Sequence, residues 1–245
     1  MNTQAQYKPQ LDAVYSAASV LYGVINLTTL EDNHRLSQKY GANILLKRED
    51  LQVVRSYKIR GAFNKISSLD QTKLNQGVVC ASAGNHAQGV AYSCNKLEVY
   101  ATIFMPVTTP KQKLEQVKFF GGSFVEIKLA GDTFDDSKHA ALKWVTHTGG
   151  IFIPPFDDVQ IVEGQGTVGL EILQQAVQPI DYLFLPVGGG GLSAGICTVF
   201  KQLSPDTKII GVEPLGAPAM AQSLKKGYPV TLDTIDKFVD GAAVK

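Results

Sequence analysis

The sequence predicts an α/β protein built from two open, mostly parallel sheets flanked by helices. Short apolar, β-branched runs alternate with longer segments of helical period, the pattern of strand–helix units. Small or glycine-rich turns sit directly between a strand and the following helix. The composition of the 245 residues, 44% apolar and 18% charged, is that of a globular chain with a core.

Strands are expected at 44–47, 78–82, 102–105, 124–127, 151–153, 182–187 and 208–213, each an apolar run too short for a helix. Helices are expected between them. The first, 56–69, follows the strand at 44–47, and 85–96 follows the strand at 78–82. A third, 110–119, has Pro110 at its first position, where a missing N–H costs nothing, and stops at Gly121-Gly122. A fourth, 134–146, follows the cap signal Asp132-Thr133. Helices at 161–176, 192–203 and 218–226 complete the set. Residues 77–150 are expected to form a compact βαβ insert. The flanking parts, 1–76 and 151–245, are expected to form a larger domain. A small-molecule site would lie between the two, at the carboxyl ends of the strands.

Bulk properties exclude several functions. A net charge of +1 gives no reason to expect nucleic acid or an acidic membrane surface as partner. No apolar run approaches the roughly 18 residues that span a bilayer. The amino terminus lacks the basic-then-apolar pattern of a secretory leader, so a cytoplasmic location is expected. Cys80, Cys94 and Cys197 are odd in number and widely spaced, which argues against a disulfide framework and a zinc cluster. The four histidines form no H-E-x-x-H pattern, and no metal site is expected.

Three segments carry chemistry. In the first, Arg55-Ser56-Tyr57-Lys58-Ile59-Arg60-Gly61-Ala62, a lysine stands at a helix start. The helix N-terminus disfavours a nearby cation and should lower the lysine pKa, which suits attack on a carbonyl. Most lysines so placed are nonetheless solvated surface groups. In the second, Ser82-Ala83-Gly84-Asn85-His86, small residues open a helix. They let a ligand approach backbone N–H groups able to bind an anion such as a carboxylate. A tight turn with an Asn cap explains the same residues. In the third, four consecutive glycines, Gly188-Gly189-Gly190-Gly191, precede Leu192 between a strand and a helix, the pattern of a phosphate cradle. No Lys-Ser/Thr pair follows, so a Walker loop is excluded. Gly189, Gly191 and Ala194 also fit G-x-G-x-x-G/A, with Glu213 about 20 residues on. Spacing alone therefore leaves a dinucleotide enzyme open.

Taken together and in this order, the three segments resemble the fold type II (tryptophan synthase β-like) pyridoxal-phosphate enzymes. Within that family they look most like the threonine dehydratases, or threonine ammonia-lyases. The match runs from Leu46-Lys47-Arg48-Glu49-Asp50-Leu51-Gln52 through the Lys58 segment, Ser82 to Gly89, Gly131-Asp132-Thr133-Phe134, Glu163-Gly164-Gln165-Gly166-Thr167 and the glycine tetrad to Gly211-Val212-Glu213-Pro214. Tyr57 and the segment 131–136 look more like the biosynthetic, isoleucine-pathway type.

The resemblance implies pyridoxal 5′-phosphate as cofactor, with Lys58 as its Schiff-base lysine and the catalytic base. Asn85 would bond the ring hydroxyl, and Gly188, Gly189, Gly190, Gly191 and Leu192 would hold the phosphate through N–H groups. Ser82, Gly84, Asn85 and His86 would form the loop that holds the carboxylate of a small amino-acid substrate. The implied reaction is β-elimination of water from L-threonine, and from L-serine, giving 2-oxobutanoate or pyruvate and ammonia. A homodimer or homotetramer is implied as well.

Two positions bear on alternatives. Related serine racemases carry a serine where this chain has Ala83, which cannot transfer a proton. They also place an acidic metal ligand where this chain has Ala219. A serine dehydratase or racemase-like enzyme is the second possibility. The resemblance also implies a C-terminally truncated chain. The catalytic region of the family continues past Lys245, and with it the polar residue that meets the pyridine nitrogen. An inactive fragment of the dehydratase is therefore a further possibility.

Overall fold

The computed structural model of the chain describes residues 9–236, 241, 242 and 244. Residues 1–8, which include most of the stretch read for a leader, lie outside the described residues, as do Ala243 and Lys245 at the chain end.

The chain opens with α1 (Leu11–Leu21), β1 (Leu30–Asp32), α2 (His34–Tyr40) and β2 (Leu45–Lys47). α3 (Lys58–Ser67) and the short α4 (Gln71–Asn75) follow. Then come β3 (Val78–Ala81), α5 (Asn85–Leu97), β4 (Ala101–Met105), α6 (Lys111–Gly121), β5 (Val125–Leu129), α7 (Phe134–Thr148) and β6 (Ile151–Phe152). The last part holds α8 (Val159–Gln175), β7 (Tyr182–Pro186), α9 (Gly191–Leu203), β8 (Lys208–Val212) and α10 (Ala219–Lys226). Every expected strand and helix is present, with ends shifted by a few residues. Pro110 stands one place earlier than expected, at the N-cap of α6. Thr133 caps α7 in a reciprocal box with Asp136. The sequence reading missed α1, β1, α2 and α4. The last three are short, and α2 and α4 are marked locally only by the capping side chains of Asn33 and Asp70.

Among the described residues there are three sheets. β5-β4-β3-β6 is parallel throughout, β7-β8 is a parallel pair, and β1-β2 is an antiparallel pair. β6 begins at residue 151 and pairs with β3, so the sheet of the insert runs one strand past residue 150. β3 is buried along its whole length, as a strand covered on both faces must be. Its side chains alternate: Val78 and Cys80 join α5 in one core, while Val79 and Ala81 pack under α7 in another.

α8 holds the molecule together, packing against α1, α3 and α9. Its approach to α3 needs glycine, because a Cβ on Gly164 would stand 2.6 Å from the Arg60 carbonyl oxygen. This gives the Glu163–Thr167 motif a structural task that its residue types alone did not reveal.

Candidate active site

Lys58 is the first residue of α3. Three residues earlier in the approach, Arg55 takes φ +61°, a left-handed conformation that L side chains rarely adopt and that tends to mark functional turns. The Lys58 backbone is overlaid by α5, where a Cβ on Gly89 would lie 3.1 Å from the Lys58 carbonyl oxygen. The amine is covered by protein. It donates to the Pro155 carbonyl at 2.8 Å and lies 5.5 Å from the Tyr57 ring centroid. No carboxylate among the described residues forms an ion pair with it. Burial lowers its pKa from 10.5 to about 8. The expected depression is present, but desolvation causes it rather than the helix terminus.

His86 is buried and its Nε2 donates to the Ile153 carbonyl at 2.9 Å. Burial and then the nearby Lys58 charge push its pKa down to about 3, so the ring is neutral and carries its proton on Nε2. The ring is thus committed to the β6–α8 turn, and an anion at the start of α5 would meet backbone rather than an imidazolium. Asn85, the first residue of α5, is exposed. Gly84 holds the N-cap without a side-chain cap, its N–H donating back to the Ser82 hydroxyl at 3.2 Å. The free N–H groups of the first turn of α5 remain available to a ligand.

The glycine loop leads from β7 into α9. Gly190 takes φ +88°, which favours glycine, and α9 starts at Gly191 with no side-chain cap. Leu192 packs into the core with Val168, Leu185 and Ile196. Sequence reasoning missed the neighbour of this loop. A Cβ on Gly189 would collide with the Phe156 ring, and one on Gly191 would lie 2.8 Å from the Phe156 carbonyl oxygen. Phe156 follows Pro155, the Lys58 acceptor, so one turn joins the lysine to the glycine loop. No local signal marked Phe156, because its role appears only when distant segments meet.

A second group that sequence reasoning left without a role surrounds Arg60, which is fully buried. Its guanidinium donates to Glu49 at 2.7 and 2.8 Å, to Glu171 at 2.6 and 2.9 Å, and to Thr167 at 3.0 Å. Lys47 adds a 2.6 Å ion pair to Glu171. Burial alone would lower the Arg60 pKa; the hydrogen bonds it donates to the Glu49 and Glu171 carboxylates outweigh that and raise the pKa. Two cations and two carboxylates balance, so α3 is pinned to α8 by a fully donated guanidinium.

Glu213 bears on the dinucleotide alternative. Its two oxygens accept from the N–H groups of Met220 and Ala221 at 2.8 and 2.7 Å, capping α10. The acidic residue that a ribose would require is engaged there. A cleft of about 390 Å³ opens at the amino ends of β3, β4 and β5, beside Tyr100 and Trp144, and holds none of the expected site residues.

The donor set fits a phosphorylated aldehyde: a buried amine of lowered pKa beside an uncapped glycine loop at a helix start. Residues 21–245 match the family described as pyridoxal-phosphate dependent enzyme, and the chain belongs to that family. Its cofactor is accordingly pyridoxal 5′-phosphate. The chain is 57% identical over 238 residues to the biosynthetic L-threonine dehydratase of Halalkalibacterium halodurans, covering 97% of this chain and 57% of that protein. The processed form of threonine deaminase isoform 2 from Solanum lycopersicum superposes with a TM-score of 0.89 at 46% identity, covering 97% of this chain and 66% of that one. Maize serine racemase superposes with a TM-score of 0.91 at 32% identity, covering 97% and 71%. The chain thus spans a little over half the length of the curated relatives it matches. No helix among the described residues is long and apolar enough to cross a membrane.

Proposed function

We propose that this chain carries the lysine-bearing core of a threonine ammonia-lyase, which removes water and then ammonia from L-threonine, and from L-serine, as a step toward isoleucine. The observation that carries the proposal is the buried Lys58 amine, without a carboxylate partner among the described residues and tied through Pro155 and Phe156 to the glycine loop. Similarity to biosynthetic threonine dehydratases selects the substrate class. Ala83 supports elimination over racemisation, because it offers no second proton-transfer group.

In this proposal Lys58 holds the cofactor covalently. Gly188, Gly189, Gly190, Gly191 and Leu192 hold its phosphate through N–H groups, and Asn85 meets its ring hydroxyl. Ser82, Gly84, Asn85 and His86 form the turn that receives the substrate carboxylate, His86 through its backbone. Bound there, pyridoxal 5′-phosphate supplies an electron sink that makes the α-proton of an amino acid acidic. Once the substrate amine takes its place on the cofactor, Lys58 Nζ would be a free neutral amine able to take that proton in the covered site. Loss of the β-hydroxyl as water, followed by hydrolysis, leaves 2-oxobutanoate and ammonia.

In this reading the site lies between a larger domain, residues 1–76 and 151–245, which carries Lys58 and the glycine loop, and a small inserted domain, 77–150, which carries the turn at 82–86. The protein works in the cytoplasm as a homodimer or homotetramer. The test is to incubate the chain with pyridoxal 5′-phosphate and L-threonine and to assay 2-oxobutanoate. Product that disappears in Lys58→Ala is the expected result. Cofactor bound at Lys58 without product would refute lyase activity for this chain, and racemised serine without keto acid would favour the racemase class.

A further inference from the structure

The turn between β6 and α8 touches all three candidate segments, at Lys58, His86 and the glycine loop, although none of its residues was expected there. Its Ile153 carbonyl accepts from His86 and its Pro155 carbonyl accepts from Lys58. Its Phe156 ring fills the space that a side chain on Gly189 would need, and the Phe156 carbonyl does the same at Gly191. The turn is also braced at both ends. Pro154 and Pro155 fix the backbone on the strand side. On the helix side, the Phe156 carbonyl accepts from the Asp158 N–H at 3.1 Å. The Asp158 carboxylate caps Gln160 and Ile161 and pairs with Lys65 of α3 at 2.7 Å.

We infer that Phe156 is a positioning residue that sets the spacing between the two anchors of the cofactor, the Lys58 amine and the phosphate-binding glycine loop. The inference rests on the proposed function. A ligand whose aldehyde and phosphate ride on one rigid ring binds as a bivalent ligand. Its second anchor contributes fully only when the two receiving groups stand at the matching distance. Pro155 holds the amine and Phe156, next in the chain, props the loop, so a single stiff turn spans both. The glycines at 189 and 191 thus serve two ends: they free N–H groups for an anion and make room for the ring that places them.

The test compares pyridoxal 5′-phosphate with pyridoxal, which keeps the aldehyde and lacks the phosphate. Each is titrated into the 245-residue chain by near-visible absorbance, with melting temperature as a second readout. Phe156→Ala should weaken pyridoxal 5′-phosphate by about tenfold or more while leaving pyridoxal within about twofold, because only the second anchor is lost. Phe156→Leu, which keeps an apolar prop, should recover most of the difference. Equal weakening of both ligands would overturn the inference by showing a general packing role, as would unchanged binding of both. If the unmodified chain binds pyridoxal 5′-phosphate nowhere near Lys58, the proposed function fails and the inference with it. If the unmodified chain binds it at Lys58 and the variants show no selectivity, only the inference fails.

Discussion

At the scale of single residues, Lys58 combines demands that conflict for an ordinary lysine. It is covered by protein, and among the described residues its amine donates to a neutral carbonyl rather than to a carboxylate. Covalent attachment of the cofactor should therefore rise with pH and reach half its maximum near pH 8, read from the absorbance of the bound form at graded pH. The same burial has a stability consequence with a definite sign. The folded pKa of about 8 lies below the ordinary 10.5, so the unfolded chain holds more protons between those values. Stability then rises with pH across that window, and the full penalty is present below it. Lys58→Met should stabilise the cofactor-free chain at pH 7 by about 1–3 kcal/mol after discounting for screening and the lost bond to Pro155. That gain should vanish above pH 10.5 in urea titrations. A loss of stability at pH 7 would mean that the bond to Pro155 outweighs the desolvation.

At the scale of elements, α3 is held from both sides. Arg60 donates to Glu49, Thr167 and Glu171, and α8 approaches closely at Gly164. Arg60→Ala would leave Glu49 and Glu171 short of their buried cation and should cost about 3–5 kcal/mol in chemical denaturation. Gly164→Ala should cost about 1–3 kcal/mol, because its Cβ meets backbone that cannot move aside. An Arg60→Ala chain as stable as the parent would show that water reaches Glu49 and Glu171. From residue 44 onward the elements other than α4 were legible in the sequence, because each strand is a short apolar run closed by a turn and each longer helix repeats its buried face. The amphipathic α1 was missed although Val14, Ala17 and Leu21 keep helical spacing. α2 and α4 are too short for a period to register. As candidates, the α5 turn and the glycine loop stood out because their residue types are locally unusual, whereas Lys58 was singled out through the resemblance, a lysine at a helix start being common on a surface. Phe156 and the partners of Arg60 were not legible. A phenylalanine beside prolines is unremarkable until the loop from residue 188 arrives, and Glu171 lies 111 residues from Arg60.

At the scale of the whole molecule, insert and flanking parts share a core. Ile59, Ala62, Ile66 and Ile161 from the flanking helices pack in one cluster with Val78, Cys80, Val90 and Ile103 from the insert. α8 continues from that cluster into a second one, where Val168 and Ile172 meet Leu185, Ile196 and Phe200. The chain should therefore unfold in one cooperative transition, with fluorescence of Trp144 in the insert and far-ultraviolet dichroism giving coincident curves. Two separated transitions would show that 77–150 holds its fold independently of the rest. The shared core also explains how the site stays assembled. Lys58 and the glycine loop sit on separate elements, and their relative placement depends on α8 and the turn that enters it.

The most direct test of the central claim is to incubate the chain with pyridoxal 5′-phosphate, reduce with borohydride and map the modified peptide. A single modified lysine at position 58, absent in Lys58→Ala, is the predicted result. Modification spread over exposed lysines, or none at all, would contradict the assignment of Lys58 as the residue that holds the cofactor.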